Sequence, residues 1–363
     1  MSKLYEPFKI GNLVLKNRFV RSPTTSYWSD EEGILRDPIL DYYEKLAKGG
    51  VGLIIKGHSY ISEKGKAHNC QSGLSSEKHI PRMKELTDLV HSHESKIIAQ
   101  LNHAGAVGVN DRATASKYVT EEWEARKLSM DELAEIIEHF SIAAENAIKA
   151  GFDGVELHGA HGYLNSQFLS DIVNKRNDNY GGSLENRARL LLDVYENVRV
   201  KLGSNAIIGV KLNCDDFAEV GGLTIDQSIQ VSKWLKDRGI SFIEISGGGF
   251  KQVREVRKTR GKAPEGTGYE EATWGNHALK IRDAVSDLPL ALVDGIRSRI
   301  TMDSLLDNNV VDLISMSKPL INEPNLPNLI KEGQDKASCI DCSNCISRDN
   351  FAKTMLRCFN RFP

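Results

Sequence analysis

Short apolar runs alternate with longer amphipathic segments along this chain, and this alternation is the feature that most limits the possible folds. The eight runs are rich in β-branched residues and have the length of strands, and the last five are almost continuously hydrophobic. Continuous hydrophobicity is typical of strands that are buried on both faces of a parallel sheet. Strands that alternate with helices in this way predict either a closed (β/α)8 barrel or an open doubly wound sheet.

The number of strands favours the closed barrel, and no Gly-x-Gly-x-x-Gly, the best signal of an open dinucleotide-binding sheet, follows the first strand. The predicted strands are Arg18–Ser22, Val51–Lys56, Lys96–Leu101, Gly154–Leu157, Ile207–Leu212, Phe242–Ile245, Leu290–Val293 and Val311–Ser315. The predicted helices are Pro38–Lys48, Glu77–His93, Met130–Ala150, Leu184–Leu202, Thr224–Arg238, Glu270–Val285 and Arg299–Asn308. We therefore predict an α/β protein with a TIM (β/α)8 barrel over residues 1–332, an N-terminal hairpin within residues 1–15, and a short Cys-rich extension over residues 333–363.

Composition and charge exclude several classes of protein. The chain has 363 residues, of which 40% are hydrophobic, so it can bury a full core. Its 47 basic and 49 acidic side chains give a net charge of -2. This balance lacks the excess of positive charge that binds nucleic acid or an anionic membrane. The first residues carry charges and a proline where a signal peptide has apolar residues, and no apolar run approaches about 18 residues. We expect a cytoplasmic homo-oligomer that acts on a small molecule.

Polar and titratable residues follow several of the predicted strands, which is where a (β/α)8 barrel carries its functional groups. The most distinctive group comes after the fourth strand and consists of His158, His161 and Tyr163. Two imidazoles and a phenol at this spacing can bind zinc, orient a carbonyl group, or satisfy one another in a core. Their position at a strand end favours a functional role, and zinc is the weaker interpretation because no third ligand with metal spacing follows nearby.

A long ungapped motif begins at the same place. It contains Leu157-His158-Gly159-Ala160-His161-Gly162-Tyr163-Leu164 and continues with Asn174-Lys175-Arg176-Asn177-Asp178-Asn179-Tyr180-Gly181-Gly182-Ser183-Leu184-Glu185-Asn186-Arg187. This motif resembles the signature of the Old Yellow Enzyme family (NADH:flavin oxidoreductase / NADH oxidase), and the resemblance covers essentially the whole chain. It implies a (β/α)8 barrel that binds flavin mononucleotide (FMN).

The resemblance also implies a set of flavin-binding residues. Those expected to face or admit the isoalloxazine ring are Ser22, Pro23, Thr24, Thr25 and Gly57, with Thr25 near its O4 and N5 edge. Gln100 is expected at the pyrimidine edge and Lys211 at the N1/O2 edge, where positive charge stabilises the reduced flavin. Gly295, Ser317 and Lys318 are expected to hold the phosphate.

This chain departs from the family pattern at two of these places. The family usually has arginine at the position of Lys211, and Gly-Arg at the position of Ser317-Lys318. Lysine keeps the positive charge but lacks the planar guanidinium that contacts phosphate through two nitrogens. The resemblance therefore implies FMN binding with fewer directed hydrogen bonds.

For catalysis, the resemblance implies that His158 and His161 donate to a substrate carbonyl and that Tyr163 protonates the α-carbon. NADH or NADPH would reduce the flavin, and an activated C=C bond would receive the hydride, as in an ene-reductase. One alternative is an amine dehydrogenase-like flavoprotein that passes electrons through an iron–sulfur cluster. A second is a non-enzymatic barrel that binds flavin or metal as a sensor, which the crowded proton donors argue against.

Four of the six cysteines lie close together near the C-terminus, and the other two are isolated. The group consists of Cys339, Cys342, Cys345 and Cys358. In a cytosolic chain such a group predicts metal binding rather than disulfides. The spacing is typical of an iron–sulfur cluster and resembles the ligands of trimethylamine dehydrogenase and dienoyl-CoA reductase, the long members of the family. Three alternatives remain for this group: a [4Fe–4S] cluster, a zinc ion, or no metal. The cluster would imply an electron-transfer protein partner.

Overall fold

Eight parallel strands form a closed barrel in a computed structural model that describes residues 2–248, 271–347, 350 and 356–360. The barrel strands, β1 to β8, are Phe19–Arg21, Leu53–Tyr60, Lys96–Asn102, Gly154–Gly159, Ile207–Asn213, Phe242–Ser246, Leu290–Val293 and Leu313–Met316. Each strand pairs with the next, and β8 pairs with β1 to close the ring. Every strand residue except Lys96 is buried, because one face meets the helices and the other fills the barrel. The predicted TIM barrel is confirmed, and the open sheet is wrong.

Seven helices surround the barrel within the described residues. These helices, α1 to α7, are Asp37–Lys48, Ile80–His91, Met130–Lys149, Leu184–Leu202, Ile225–Asp237, Gly275–Val285 and Arg299–Asp307; the short helices Lys318–Asn322 and Leu326–Lys331 follow β8. Helix α6 begins at Gly275 rather than at the predicted Glu270, which lies outside the described residues. Ala272 has a φ of 61°, which no α-helix accommodates, so the segment before Gly275 is a turn. Across the described ranges, no helix combines the length and apolar character needed to cross a membrane.

The predicted N-terminal hairpin closes one end of the barrel. Its antiparallel strands, Phe8–Ile10 and Leu13–Leu15, present Ile10, Leu13 and Leu15 to a separate apolar cluster. The barrel residues in that cluster include the first residue of several strands: Leu53, Ile207, Phe242 and Leu313. The hairpin therefore seals the N-terminal end, and the C-terminal end of the barrel is left for a ligand.

The second half of the sequence motif fixes the loop between β4 and α4. The Arg176 side chain is only 1% exposed. Its guanidinium donates to the carbonyl oxygens of Ala115, at 2.9 Å, and Leu128, at 2.7 Å, and it pairs with Asp178. A guanidinium with several donors in one plane suits this role, because it ties this loop to the segment before α3. This part of the motif is therefore structural in the described chain.

The described part of the Cys-rich extension packs on the barrel. Ala337, Cys345 and Leu356 belong to the main apolar core. The Ser338 amide donates to the Glu323 carboxylate at 2.6 Å, which anchors the start of the extension beside the helices that follow β8. The division of the chain near residue 332 stays a prediction.

Candidate active site

The structure brings His158, His161 and Tyr163 together at the C-terminal end of β4. The ring centroids of His158 and Tyr163 are 4.7 Å apart, and those of His158 and His161 are 5.3 Å apart. Positive φ angles at His161 (61°) and Gly162 (75°) turn the chain sharply between the strand and the short helix Leu164–Leu169. The three side chains therefore form one group at the barrel mouth.

The hydrogen bonds of the two histidines indicate which nitrogen carries a proton. The Ala160 amide donates to His158 Nδ1 at 3.3 Å, so in a neutral imidazole Nε2 is the protonated nitrogen. Burial lowers the pKa of His158 well below 6.5, with a further contribution from the neighbouring His161, so the ring is neutral at pH 7. His161 Nε2 lies 2.7 Å from Ser246 Oγ at the end of β6. His158 is thus a neutral N–H donor beside a phenol.

A third imidazole, which sequence analysis did not assign to the site, lies between Thr25 and Tyr163. His58 Nε2 is 2.7 Å from Thr25 Oγ1 and 3.3 Å from the Tyr163 hydroxyl. His58 follows Gly57 at an irregularity of β2, where the register with β3 shifts between Lys56 and Ser59. Its place at a strand end was the only signal in the sequence.

The predicted ring-binding residues after β1 are half-buried at the barrel mouth, except for the buried Ser22. The residues in question are Pro23, Thr24 and Thr25. Gly57 lies against them: a Cβ at this position would stand 2.3 Å from the Thr24 carbonyl oxygen, so only glycine fits. The structure thus gives Gly57 a packing reason that is independent of any ligand.

Lys211 points into the barrel and is paired with a carboxylate. Its Nζ lies 2.5 Å from Glu244 Oε2, directly across the β5–β6 register, and 3.1 Å from Ser22 Oγ. Ser315 donates to the other oxygen of Glu244 at 2.5 Å. Burial raises the pKa of Glu244, but Lys211 and these hydroxyls outweigh it, so the net shift is downward and Glu244 is ionised. The positive charge expected at the flavin's N1/O2 edge is therefore shared with Glu244.

Gln100 is tied to a second buried carboxyl group. Its Nε2 donates to Glu156 Oε2 at 2.7 Å, and the two residues face each other in the β3–β4 register. Burial raises the pKa of Glu156 well above 4.5, and the charge of Glu244 raises it further, so the surroundings favour its protonated form. Sequence analysis missed both glutamates, because each lies inside an apolar strand.

The residues predicted to hold the phosphate line one small cavity, of about 30 Å³, at the ends of β7 and β8. Gly295, with a φ of 74°, contributes backbone to its lining, and Ser317 and Lys318 also line it. The Lys318 ammonium is paired with Asp341, which also lines this cavity. The cation and the backbone donors suit a phosphate, but Lys318 must exchange Asp341 for it.

Lys56 is a second buried lysine near the site. Its Nζ donates to the Gly57 carbonyl oxygen at 3.0 Å, to Ser59 Oγ at 2.9 Å, and to Ser72 Oγ. Burial is the cause that lowers its pKa from 10.5 to about 7. Lys56 therefore titrates near neutral pH.

The four clustered cysteines line one cavity of about 390 Å³ beside Lys318. Burial raises the pKa of Cys345 to about 12 and also raises that of Cys339. In the part of the chain that the structure describes, no group of three or more His, Cys, Asp or Glu side chains is arranged to hold a metal ion. Cys70 and Cys214 do not line this cavity, as expected from their positions in the sequence.

Comparison with known proteins identifies relatives of two lengths. The NADH oxidase of Thermoanaerobacter brockii is 32% identical over 367 residues, which cover 98% of this chain and 55% of that protein. A solved complex of 2-naphthoyl-CoA reductase with 2-naphthoyl-CoA matches with a TM-score of 0.90 and 26% identity, over 98% of this chain and 56% of that one. An old yellow enzyme homologue from Zymomonas mobilis matches with a TM-score of 0.77 and 27% identity, over 97% and 99% of the two chains.

The chain therefore spans about half the length of the first two relatives and nearly all of the third. Residues 3–337 match the NADH:flavin oxidoreductase / NADH oxidase family, and this range includes the whole barrel. The resemblance read from the motif after β4 is confirmed, and the chain belongs to the NADH:flavin oxidoreductase / NADH oxidase family.

Proposed function

We propose that this chain is an FMN-dependent oxidoreductase that takes hydride from NADH or NADPH and passes it to the activated C=C bond of an α,β-unsaturated carbonyl compound. The observation that carries this proposal is the convergence of His158, His161 and Tyr163 at the open end of the barrel. Family membership supports the flavin and the nicotinamide. When bound, FMN supplies the hydride.

The flavin-binding residues are proposed as the resemblance implies them. Thr25, Gln100 and Lys211 offer hydroxyl, amide and ammonium groups at the barrel mouth and interior, which suits the polar edge of a flavin ring. Gly295 and Lys318 line the small cavity that suits the phosphate. Pro23, Thr24, Ser22, Gly57 and Ser317 complete the proposed set.

The side chains that act on the substrate have distinct roles. His158 donates its Nε2 proton to the substrate carbonyl oxygen, which withdraws electrons from the conjugated bond and makes the β-carbon electrophilic. His161, whose Nε2 lies 2.7 Å from Ser246 Oγ, is the second proposed donor to that oxygen. Tyr163 gives its hydroxyl proton to the α-carbon, while the β-carbon gains the hydride, so the C=C bond becomes a single bond.

The cofactor is tested by the flavin that the purified protein releases in acid. We expect FMN, because one small phosphate cavity serves the proposed site. Release of FAD alone, or failure to bind FMN on reconstitution, would refute the proposal.

The reaction is tested by Tyr163→Phe in the two half-reactions, measured separately by stopped-flow absorbance. Flavin reduction by NADH or NADPH should be nearly unchanged, whereas reoxidation by an α,β-unsaturated ketone should slow by about 10²–10⁴-fold. The control is Tyr195→Phe, which removes a hydroxyl that donates to the Arg238 carbonyl oxygen on the outer helices. Equal reoxidation by Tyr163→Phe and the control would assign the proton to another donor.

We also propose that Cys339, Cys342, Cys345 and Cys358 bind a [4Fe–4S] cluster. Their spacing and their shared cavity support this assignment. Anaerobic metal analysis should find about four irons and four sulfides per chain. One zinc ion per chain would instead indicate a structural site. If neither iron nor zinc is found, the thiols do not bind a metal. Cys342→Ser should lose the metal, and the control Cys70→Ser should keep it.

Bound iron would also favour an electron-transfer protein partner, and with it the amine dehydrogenase-like alternative. Reduction of the bound flavin by an amine, with no nicotinamide present, would then replace the ene-reductase proposal.

We further propose a cytoplasmic homo-oligomer. All six cysteines are free, as is usual in a reducing compartment, and sedimentation velocity measures the oligomeric state.

A further inference from the structure

His58 lies between Thr25 and Tyr163, and the proposed function gives each of these residues a role. Its Nε2 is 2.7 Å from Thr25 Oγ1, and the Tyr163 hydroxyl is 3.3 Å from the same nitrogen. The His58 and Tyr163 ring centroids are 5.2 Å apart. His58 is only 6% exposed, so its ring is largely shielded from solvent. One nitrogen thus links the residue expected at the cofactor to the residue expected to protonate the substrate.

Gln71 determines the direction of the hydrogen bond from this nitrogen. The Ala67 amide donates to Gln71 Oε1 at 2.6 Å, which fixes the orientation of the side-chain amide. Gln71 Nε2 then lies 2.6 Å from His58 Nδ1, and an amide nitrogen can only donate. His58 Nδ1 is therefore an acceptor. In a neutral imidazole the proton then resides on Nε2, which donates.

The surroundings of His58 keep the ring neutral. Burial lowers the pKa of His58 well below 6.5, and the nearby His68 and Lys56 lower it further. The other rings close to it are those of His158, a neutral imidazole, and Tyr163, a phenol. Neither of them brings a negative charge that would raise the pKa of His58. Because His58 donates to Thr25 Oγ1, the Thr25 hydroxyl proton is directed away from His58.

We propose that His58, oriented by Gln71, is a positioning residue that makes the Thr25 hydroxyl a hydrogen-bond donor to the cofactor and holds the Tyr163 phenol in place. This inference rests on the proposed function, because FMN is the acceptor that Thr25 would serve. A donor at the O4/N5 edge stabilises the reduced flavin, on which negative charge accumulates. Loss of His58 leaves Thr25 able to rotate, so reduced FMN should lose affinity relative to oxidised FMN.

The first test compares the reduction potential of bound FMN in the parent with that in His58→Phe and His58→Gln. Loss of one directed hydrogen bond should change the affinity ratio of reduced to oxidised FMN by roughly tenfold, which for a two-electron couple lowers the potential by about 30 mV. His58→Gln supplies an N–H in place of Nε2 and should restore most of the parent potential. A His58→Phe variant that binds FMN at the parent potential would overturn the proposal.

The matched control is His79→Phe, which removes another buried imidazole. The His79 ring bonds to the carbonyl oxygens of Glu32 and Ser76, both away from the site. Its removal should leave the FMN potential unchanged. A similar drop in both variants would show that the shift reports loss of a buried ring in general, and would also overturn the proposal.

The second test needs no cofactor and separates this inference from the proposed function. In flavin-free protein, ¹⁵N NMR should show His58 with a protonated Nε2 and an unprotonated Nδ1, and Gln71→Leu should mix the two tautomers. A His58 ring protonated at Nδ1 in the parent refutes the inference, even if a variant fails to fold. Failure of the parent to bind FMN refutes the proposed function instead.

Discussion

Removal of either partner of the Lys211–Glu244 pair should destabilise the protein strongly, because both charges lie inside the barrel. The two side chains are 2% and 0% exposed, and their charged atoms are 2.5 Å apart. Loss of one partner leaves the other as an uncompensated buried charge, which typically costs about 3–5 kcal/mol. We expect Lys211→Met and Glu244→Gln each to lower the free energy of unfolding by an amount in this range.

The two losses should not be equal. In Glu244→Gln, Lys211 still has Glu156 nearby, whose pKa is raised partly by the charge of Glu244. Without that charge Glu156 can ionise and partly compensate Lys211, so this variant should lie at the lower end of the range. In Lys211→Met, Glu244 keeps burial as the main influence on its pKa, which then lies above that of the unfolded chain. This variant should therefore regain stability as the pH falls, since folding then favours the protonated carboxyl group.

The assay is urea denaturation followed by circular dichroism, for the two single variants and the double variant. The double variant contains neither charge and should recover most of the loss, which gives a large coupling energy. The matched control is Lys117–Glu124, a pair 3.4 Å apart whose side chains are 69% and 67% exposed. Lys117→Met and Glu124→Gln should each cost below about 1 kcal/mol. Single-variant losses as small as those of the control, or a coupling energy near zero, would refute the reasoning.

Further predictions concern the two other lysines of the site. Lys318→Ala should weaken FMN binding by roughly 10- to 150-fold, as for a charge-assisted bond of about 1.5–3 kcal/mol. Asp341→Asn should strengthen FMN binding, because Lys318 no longer has to exchange that carboxylate for phosphate. Quenching of FMN fluorescence measures the affinity of both variants, and changes of the same sign would contradict the assignment of Lys318 to the phosphate. Burial lowers the pKa of Lys56 from 10.5 to about 7, so the parent should lose stability as the pH falls through this interval, because the unfolded chain takes up the proton first. Lys56→Met should lack that loss in urea denaturation at about pH 10 and about pH 7, and an identical pH dependence in both proteins would contradict it.

Much of the fold could be predicted because burial leaves a local pattern in the sequence. Each barrel strand is covered on both faces, so its run of apolar residues shows where it lies, and all eight strands were found within a few residues of their bounds. The group at His158, His161 and Tyr163 was also visible, since its members are close in sequence and a single sharp turn brings them together. The start of α6 was misplaced because the turn at Ala272 depends on its own backbone conformation, which composition does not reveal.

The contacts that set protonation states were decided by tertiary structure alone. His58 meets Tyr163 across 105 residues of sequence, and Lys318 meets Asp341 only because the extension folds back against β8. Lys211 and Glu244 meet because the β5–β6 register places them opposite each other and the alternation of side chains turns both inward. The sequence by itself thus determined the barrel, the family and the residues at its mouth, because apolar periodicity and a contiguous motif are local properties. Closure of the barrel decided which of those residues share a hydrogen bond or a charge, because strand register is a property of neighbouring strands and not of either sequence alone.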